Sequence, residues 1–128
     1  MQLGLGPYGL QAAIAAEHAR APSTQDTNWV RIAALYATLA RIQPSPVVEL
    51  NRAVAIGMAF GPEHALRHVE ALDDALRDYH LLPSVRADLL AKLGRTEEAR
   101  SELEHAARLT GNARERDLLL ERARILGR

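Results

Sequence analysis

Apolar residues recur every three or four positions along this chain, in stretches separated by proline, glycine and short polar runs. This spacing places the apolar residues on one face of an α-helix, so the pattern predicts an all-α fold of about seven helices. The predicted helices cover residues 7–20, 28–42, 46–60, 62–76, 82–93, 96–110 and a last stretch that begins after residue 112.

Residues at the predicted helix ends have the chemistry that such positions require. The predicted N-caps are Asp26 or Thr27, Ser45, Thr96 and Asn112. Their side-chain oxygens can accept a hydrogen bond from the first turn of the helix that follows. Pro46 stands at the first helical position, which favours proline, and Glu115 follows Asn112 at the spacing of a capping box. Gly94 is expected to end the fifth helix, and residues 21–27 are expected to form a polar loop.

An internal repeat relates the helices to one another. When the chain is shifted by 34 residues, small positions align with small ones and apolar positions with apolar ones. The aligned pairs are Ala53 with Ala87, Ile56 with Leu90, Ala65 with Ala99, Val69 with Leu103, and Leu72 with Ala106. A period of 34 is that of the tetratricopeptide repeat, and alanines are expected where the two helices of a hairpin approach closely. We therefore predict one domain, residues 1–128, built as a right-handed stack of antiparallel helix hairpins, a tetratricopeptide-like α-solenoid.

The third and seventh predicted helices have patterns that indicate where they lie. The third helix has one apolar stripe and further apolar residues on another side, so we expect it between neighbouring helices. That stripe consists of Val47, Leu50, Val54 and Met58. The seventh helix has one apolar and one charged face, which is typical of a terminal cap on a solenoid. The residues of its apolar face are Leu118, Leu119, Ala123 and Leu126.

Asn51 interrupts the stripe of the third helix, and a buried asparagine needs hydrogen-bond partners for its amide. Two interpretations are open for it: a structural hydrogen bond to a loop between helices, or a contact in the groove where helical repeats bind extended peptides. Tyr79 and His80, which precede the fifth helix, are either part of a packed connector or surface contacts. Trp29 and Tyr36 are expected in the core.

The composition narrows the class of protein. Aromatic residues make up 4% of the 128 residues, so the core has to be built mainly from Leu, Ala, Val and Ile. The 16 basic and 16 acidic residues give no net charge, which argues against direct DNA binding because phosphate contacts normally require a basic excess. The chain has no cysteine and no apolar run long enough to span a membrane. Residues 1–4 lack the features of a signal peptide, so we expect a cytoplasmic protein.

Two motifs suggest chemistry but lack its structural context. Residues 4–9 match the dinucleotide-binding fingerprint, yet no strand precedes them and Pro7 lacks the N–H that would face a pyrophosphate. His64 and His68 have the spacing of two zinc ligands on a helix, but Ala65 stands where zinc proteases have glutamate. We therefore expect no catalytic, cofactor-binding or metal-ligating residues, and a protein that is not an enzyme.

Three longer stretches are more specific than the repeat. They comprise GPYGLQAAIAAEHA at residues 6–19; DTNW, LY and PSPVVELNRAVA between residues 26 and 55; and YHL, RADLL and LGR between residues 79 and 95. Together they resemble the C-terminal extension of a group of bacterial extracytoplasmic-function sigma factors. In that group a tetratricopeptide-like domain follows the DNA-binding sigma regions. The resemblance covers nearly the whole chain.

The resemblance implies a full-length protein that directs RNA polymerase to promoters in transcription initiation. Sigma regions 2 and 4 would precede residue 1, and the extension would regulate them by intramolecular contact. Its link to the RNA polymerase core would be indirect, through those sigma regions. A small protein of the DGPF-motif family is a further implied partner. The polar motif positions that are candidates for protein interaction are Asn51, Arg52, Tyr79, His80, Arg86 and Asp88. The alternative is a free-standing helical-repeat scaffold that binds a peptide or protein.

Overall fold

The computed structural model describes residues 6–21 and 26–127. Its helices are α1 (Pro7–Arg20), α2 (Trp29–Ile42), α3 (Pro46–Phe60), α4 (Pro62–Glu70), α5 (Leu81–Lys92), α6 (Thr96–Leu109) and α7 (Ala113–Leu126). Within these two ranges there are seven α-helices and no strand, which confirms the predicted all-α fold. The predictions made for residues 1–4, for the start of the glycine-rich motif and for most of the polar loop lie outside the described residues.

Consecutive helices pack against each other along the chain and form a row of hairpins. The pairs are α1 with α2, α3 with α4, and α5 with α6, and α7 packs against α6 at the end of the row. Contacts of α3 with α2 and α5 join the hairpins, so the prediction that α3 lies between neighbours is confirmed. No helix in the described part of the chain combines the length and hydropathy that a membrane crossing requires.

The positions aligned by the 34-residue repeat lie in equivalent places in the core. All of them are buried except Leu72, which is partly buried. The alanines predicted at the hairpin crossings, each at most 1% exposed, are Ala53, Ala65, Ala87 and Ala99. Gly57 shows how closely α3 and α4 approach, because a Cβ atom added to it would lie 3.2 Å from the Cβ of Ala65. Small residues at these crossings therefore let the helices of one hairpin pack side by side.

Two of the predicted N-caps are confirmed by hydrogen bonds. Ser45 Oγ accepts from the backbone N–H of Val48 at 3.5 Å, and Asn112 Oδ1 accepts from that of Glu115 at 2.9 Å. The capping box at α7 is only half formed, because Glu115 Oε1 accepts a hydrogen bond from Thr110 Oγ1 at 2.5 Å, and the backbone N–H of Asn112 donates to Thr110 Oγ1 at 3.2 Å and not to Glu115.

Two other predicted caps are wrong by one or two residues. The N-cap of α2 is Asn28 and not Asp26 or Thr27, because Asn28 Oδ1 accepts from the backbone N–H of Arg31 at 3.1 Å. Thr96 is the first residue of α6 and not its cap, so its hydroxyl does not stand in the capping position. Several residues with suitable oxygens occur in a row before α2, and the chain geometry decides which of them caps the helix.

The predicted end of α5 is confirmed, whereas the predicted end of α4 is wrong. Gly94 ends α5 as predicted: with φ at 79° it adopts the left-handed conformation, and the N–H of Arg95 donates to the carbonyl of Leu90 at 2.9 Å. In contrast, α4 ends at Glu70 and residues 71–78 form a series of turns, so the predicted helix to residue 76 is too long. Aspartates at 73 and 74 are poor residues for a helix interior, which favours this early end.

One charged side chain is buried where α1 meets α2. Glu17 is 4% exposed, and its Oε2 accepts hydrogen bonds from Arg31 Nε at 2.6 Å and from Arg20 at 3.2 Å. Both arginine side chains reach this carboxylate from solvent-exposed positions. A buried carboxylate is costly unless it is paired and hydrogen-bonded, so Glu17 makes the α1–α2 contact dependent on these arginines.

We expect Arg31→Ala to lower the free energy of unfolding by about 2 kcal/mol, because it leaves the buried Glu17 carboxylate with one weaker partner. Urea unfolding followed by circular dichroism measures this change. Arg41→Ala is the matched control, since Arg41 is exposed on the same helix, and its effect should stay within about 0.5 kcal/mol. Equal effects of the two substitutions would contradict the structural role of the Glu17–Arg31 pair.

Candidate functional site

Helices α3, α5 and α7, the first helices of successive repeat units, share an exposed side that we call the first-helix face. Large apolar side chains are exposed on it where burial would be the usual state. They are Val47, Val54 and Met58 on α3, Leu81 on α5, and Leu118 and Ile125 on α7, with exposed fractions of 37–59%. Several exposed apolar side chains on one side of a small domain are typical of a surface that binds another protein.

Two contacts show that these helices lie side by side in the register of the repeat. Lys92 Nζ lies 3.7 Å from the sulfur of Met58, which joins α5 to α3. Arg122 forms an ion pair with Asp88, which joins α7 to α5. The partners of both pairs are 34 residues apart. Equivalent repeat positions therefore form rows across the first-helix face.

The character of the first-helix face changes along these rows. The position of Val54 on α3 is taken by Asp88 on α5 and by Arg122 on α7, and the position of Met58 is taken by Lys92. The α3 end is thus mainly apolar, whereas the middle contains charged groups of both signs. A partner that matches this surface needs an apolar region next to a region of paired charges.

The apolar stripe on α3 is exposed at three of its four positions, although the helix itself lies between neighbours as predicted. Leu50 is buried at 2% exposure, but Val47, Val54 and Met58 are not. The reason is that α2, α4 and α5 cover other sides of α3 and leave this side open. Leu118, which belongs to the apolar face predicted for the terminal helix, is also exposed, at 59%.

Asn51 lies within the first-helix face and is exposed. The inference that it is buried is therefore wrong, and its amide does not need a partner within the protein because water can reach it. Its position between Val47 and Val54 on α3 places it among the exposed apolar side chains. The interpretation of Asn51 as a contact residue stays a prediction.

Arg86 is mainly a connection between helices. Its side chain is 14% exposed, with one guanidinium nitrogen 3.2 Å from Glu102 of α6 and an ion pair to Asp73 in the turns after α4. Burial is the largest influence on its pKa and lowers it, but the hydrogen bonds and charges of Asp73 and Glu102 outweigh burial, so the pKa of Arg86 is raised. Two carboxylates therefore hold this guanidinium in the α4–α5–α6 junction.

Tyr79 and His80 lie in the connector before α5. Tyr79 packs against the hydrophobic core, and the two rings meet edge to face with their centroids 5.6 Å apart. His80 Nε2 lies 2.9 Å from Glu115 Oε1 at the start of α7. Of the two interpretations offered for this pair, the structure favours the packed connector, because both side chains contact other parts of the fold.

A concave region lies between α2, α3 and α4, and we call it the second-helix groove. Its volume is about 450 Å³, and it is lined by Val30, Ala33, Ala34, Ala37, Arg52, Ile56, Phe60, His64 and His68. Arg52 therefore belongs to this groove, and one of its guanidinium nitrogens lies 3.3 Å from Glu49 Oε1. In the described ranges no three His, Asp or Glu side chains are grouped as metal ligands would be. His64 and His68 therefore have no third such side chain beside them within these ranges.

The six predicted interaction residues do not form a single site. Asn51 and Asp88 lie on the first-helix face, Arg52 lies in the second-helix groove, and Tyr79, His80 and Arg86 hold helices together. The sequence interpretation missed Met58 and Lys92 as surface residues. The 34-residue shift contained the signal for them, because it pairs exposed positions as well as buried ones.

Comparison with known proteins gives one informative match. No family model matches the chain, and no solved structure matches it. The chain is similar to an uncharacterized protein of Rhizobium meliloti (strain 1021), with 51% identity over 110 residues. The match covers 86% of this chain and 26% of that protein, so the chain spans about a quarter of the length of the curated relative it matches.

Proposed function

We propose that this chain is the regulatory protein-interaction domain of a bacterial extracytoplasmic-function sigma factor, and that it acts by docking onto the sigma regions of the same protein. In that role the whole protein directs RNA polymerase to promoters, and this domain catalyses no reaction. The sequence stretches at residues 6–19, 26–55 and 79–95 support the assignment. The relative is compatible with it, because about three quarters of that protein lie outside the match.

The observation that carries the docking proposal is the first-helix face. Its apolar side chains stand on helices that are already packed in register, so binding a partner requires little further ordering of the backbone. The apolar α3 end supplies surface that leaves water on binding. Asp88, Lys92 and Arg122 supply charges that select the orientation of the partner.

An intramolecular partner needs only modest affinity. When two domains are joined by a short linker, each experiences the other at a local concentration of the order of millimolar. A dissociation constant near 10 μM for the separated parts would therefore keep the domain docked in about 99% of the intact molecules, and a loss of affinity of about a hundredfold would release half of them. This is the range in which a regulatory contact can be switched.

The direct test uses this chain and sigma regions 2 and 4 of the same polypeptide as two separate proteins in isothermal titration calorimetry. We expect saturable binding with a dissociation constant of about 10 μM. A small protein of the DGPF-motif family, added to the same assay, tests the second partner that the resemblance implies. Absence of any complex at about 300 μM would overturn the docking proposal, because even the linked domains would then remain mostly apart.

A pair of variants tests whether the first-helix face forms the contact. Val54→Ser combined with Met58→Ser should weaken binding by at least about tenfold, because both side chains are exposed and apolar at the α3 end. Val30→Ser combined with Phe60→Ser removes comparable exposed side chains from the second-helix groove and should leave the affinity unchanged. Circular dichroism confirms that both pairs remain folded. Equal losses in the two pairs would place the contact elsewhere.

A furrow on the first-helix face favours the second candidate, a free-standing scaffold that binds an extended peptide. The furrow has a volume of about 200 Å³ and is lined by Ala87, Ala91, Leu103, Arg122, Ile125 and Leu126. One apolar side chain of a bound peptide fits such a space. Peptide arrays separate the candidates, because saturable binding of unrelated linear motifs without binding of the sigma regions would favour the scaffold.

A further inference from the structure

The second-helix groove has a lining that the docking function does not use. Six of its residues are apolar, namely Val30, Ala33, Ala34 and Ala37 of α2 and Ile56 and Phe60 of α3. Val30 and Phe60 are 55% and 56% exposed, which is high for such side chains. The three alanines of α2 have short side chains, and the space that these side chains leave unfilled forms the groove.

The remaining lining residues all have nitrogen groups that can donate hydrogen bonds. They are Arg52 on α3 and His64 and His68 on α4, and the two histidines are one helical turn apart. None of the described residues that line the groove is acidic. Arg52 pairs with Glu49 through one nitrogen at 3.3 Å, in a partly buried pair. A guanidinium has five N–H donors, so donors remain for a ligand.

We propose that the second-helix groove binds a small organic carboxylate with an apolar tail. Arg52 would hold the carboxylate through paired hydrogen bonds, with His64 and His68 as additional donors, and the tail would cover Val30 and Phe60. The volume of about 450 Å³ lies within the range of small-molecule sites. An inorganic anion would leave the apolar lining unused, so the tail is part of the inference. The site is additional to the docking function and does not depend on it.

Octanoate and its uncharged analogue octanamide test the ligand class on this chain directly. Calorimetry and amide NMR shifts should show octanoate binding with a dissociation constant of about 1 mM or lower, as expected for a ligand of so few atoms. The largest shifts should occur at Ala33, Ala34 and Ala37. Octanamide should bind about tenfold more weakly, because it cannot form the charged contact with Arg52.

Three variants test the site itself. Arg52→Gln should weaken octanoate binding by about tenfold, and Ala34→Trp should abolish it, since the indole fills the groove from an exposed position that does not disturb the core. Arg77→Gln removes an equivalent charge from an exposed arginine outside the groove and should change nothing. Binding that is absent at about 10 mM, equal for octanoate and octanamide, or equally affected by Arg52→Gln and Arg77→Gln would overturn the proposal.

Discussion

Leu103→Ala is expected to lower the free energy of unfolding by about 4 kcal/mol, near the upper end for such truncations. Leu103 is 1% exposed and lies in the core cluster of α5, α6 and α7. Most of its buried neighbours there are alanines, namely Ala87, Ala106, Ala107 and Ala123. An alanine has no flexible side chain with which to fill a cavity, so the space left by the leucine would stay largely empty.

Urea unfolding with circular dichroism measures the loss, and hydrogen exchange locates it. Because each repeat contacts its neighbours, we expect faster exchange first in α5, α6 and α7. Leu120→Ala is the matched control: Leu120 is 45% exposed on α7, and its truncation should cost less than about 0.5 kcal/mol. A loss below about 1 kcal/mol for Leu103→Ala would mean that the cluster can collapse around the missing side chain.

The buried positions of this fold could be predicted because they leave regular patterns in the sequence. The 34-residue shift identified Ala53, Ala65, Ala87 and Ala99 as positions of close helix contact, and all four are buried. Such positions require a small side chain whatever the neighbouring sequence, so they appear in the sequence as a period. Helix ends marked by glycine or by proline with serine were predicted well for the same reason, since φ restrictions and capping bonds act within a few residues.

The exposure of apolar side chains on α3 could not be predicted from those patterns. Val47, Val54 and Met58 have the spacing of core residues, and they are exposed because none of the seven helices in residues 6–21 and 26–127 covers that side of α3. Periodicity shows that a side of a helix is apolar, but it does not show what lies opposite. An exposed apolar row that follows the spacing of a core stripe is therefore a better indication of a partner surface than isolated polar residues are.

The contacts of long polar side chains stayed open in the sequence for a related reason. Arg86 pairs with Asp73 and Glu102, and His80 pairs with Glu115. The partners are separated by 13 to 35 residues in the sequence. A single sequence does not show whether such a side chain meets another helix or water. Arg52 illustrates the same difficulty for a groove. Its place in the second-helix groove depends on the alanines of α2, which lie more than ten residues away in the sequence.

Ala65→Leu is expected to lower the free energy of unfolding by about 3 kcal/mol through overpacking, the reverse of the Leu103 truncation. Ala65 has no exposed surface, and a Cβ atom added to Gly57 on the facing helix would lie 3.2 Å from its Cβ. Three more carbons at position 65 would have to push α4 away from α3 or force strained rotamers. Leucine is nearly as good a helix former as alanine, so propensity contributes little to the loss.

Ala16→Leu is the matched control, since Ala16 is exposed on α1 and the same substitution there should change stability by less than about 0.5 kcal/mol. Ala99 is the equivalent residue one repeat later and occupies the same crossing in the α5–α6 hairpin. Ala99→Leu should therefore lower the free energy of unfolding to a similar extent. Urea unfolding of the three variants compares them directly. If Ala65→Leu and Ala99→Leu were as stable as Ala16→Leu, close helix approach would not be the reason for the alanines, and the 34-residue period would need another physical cause.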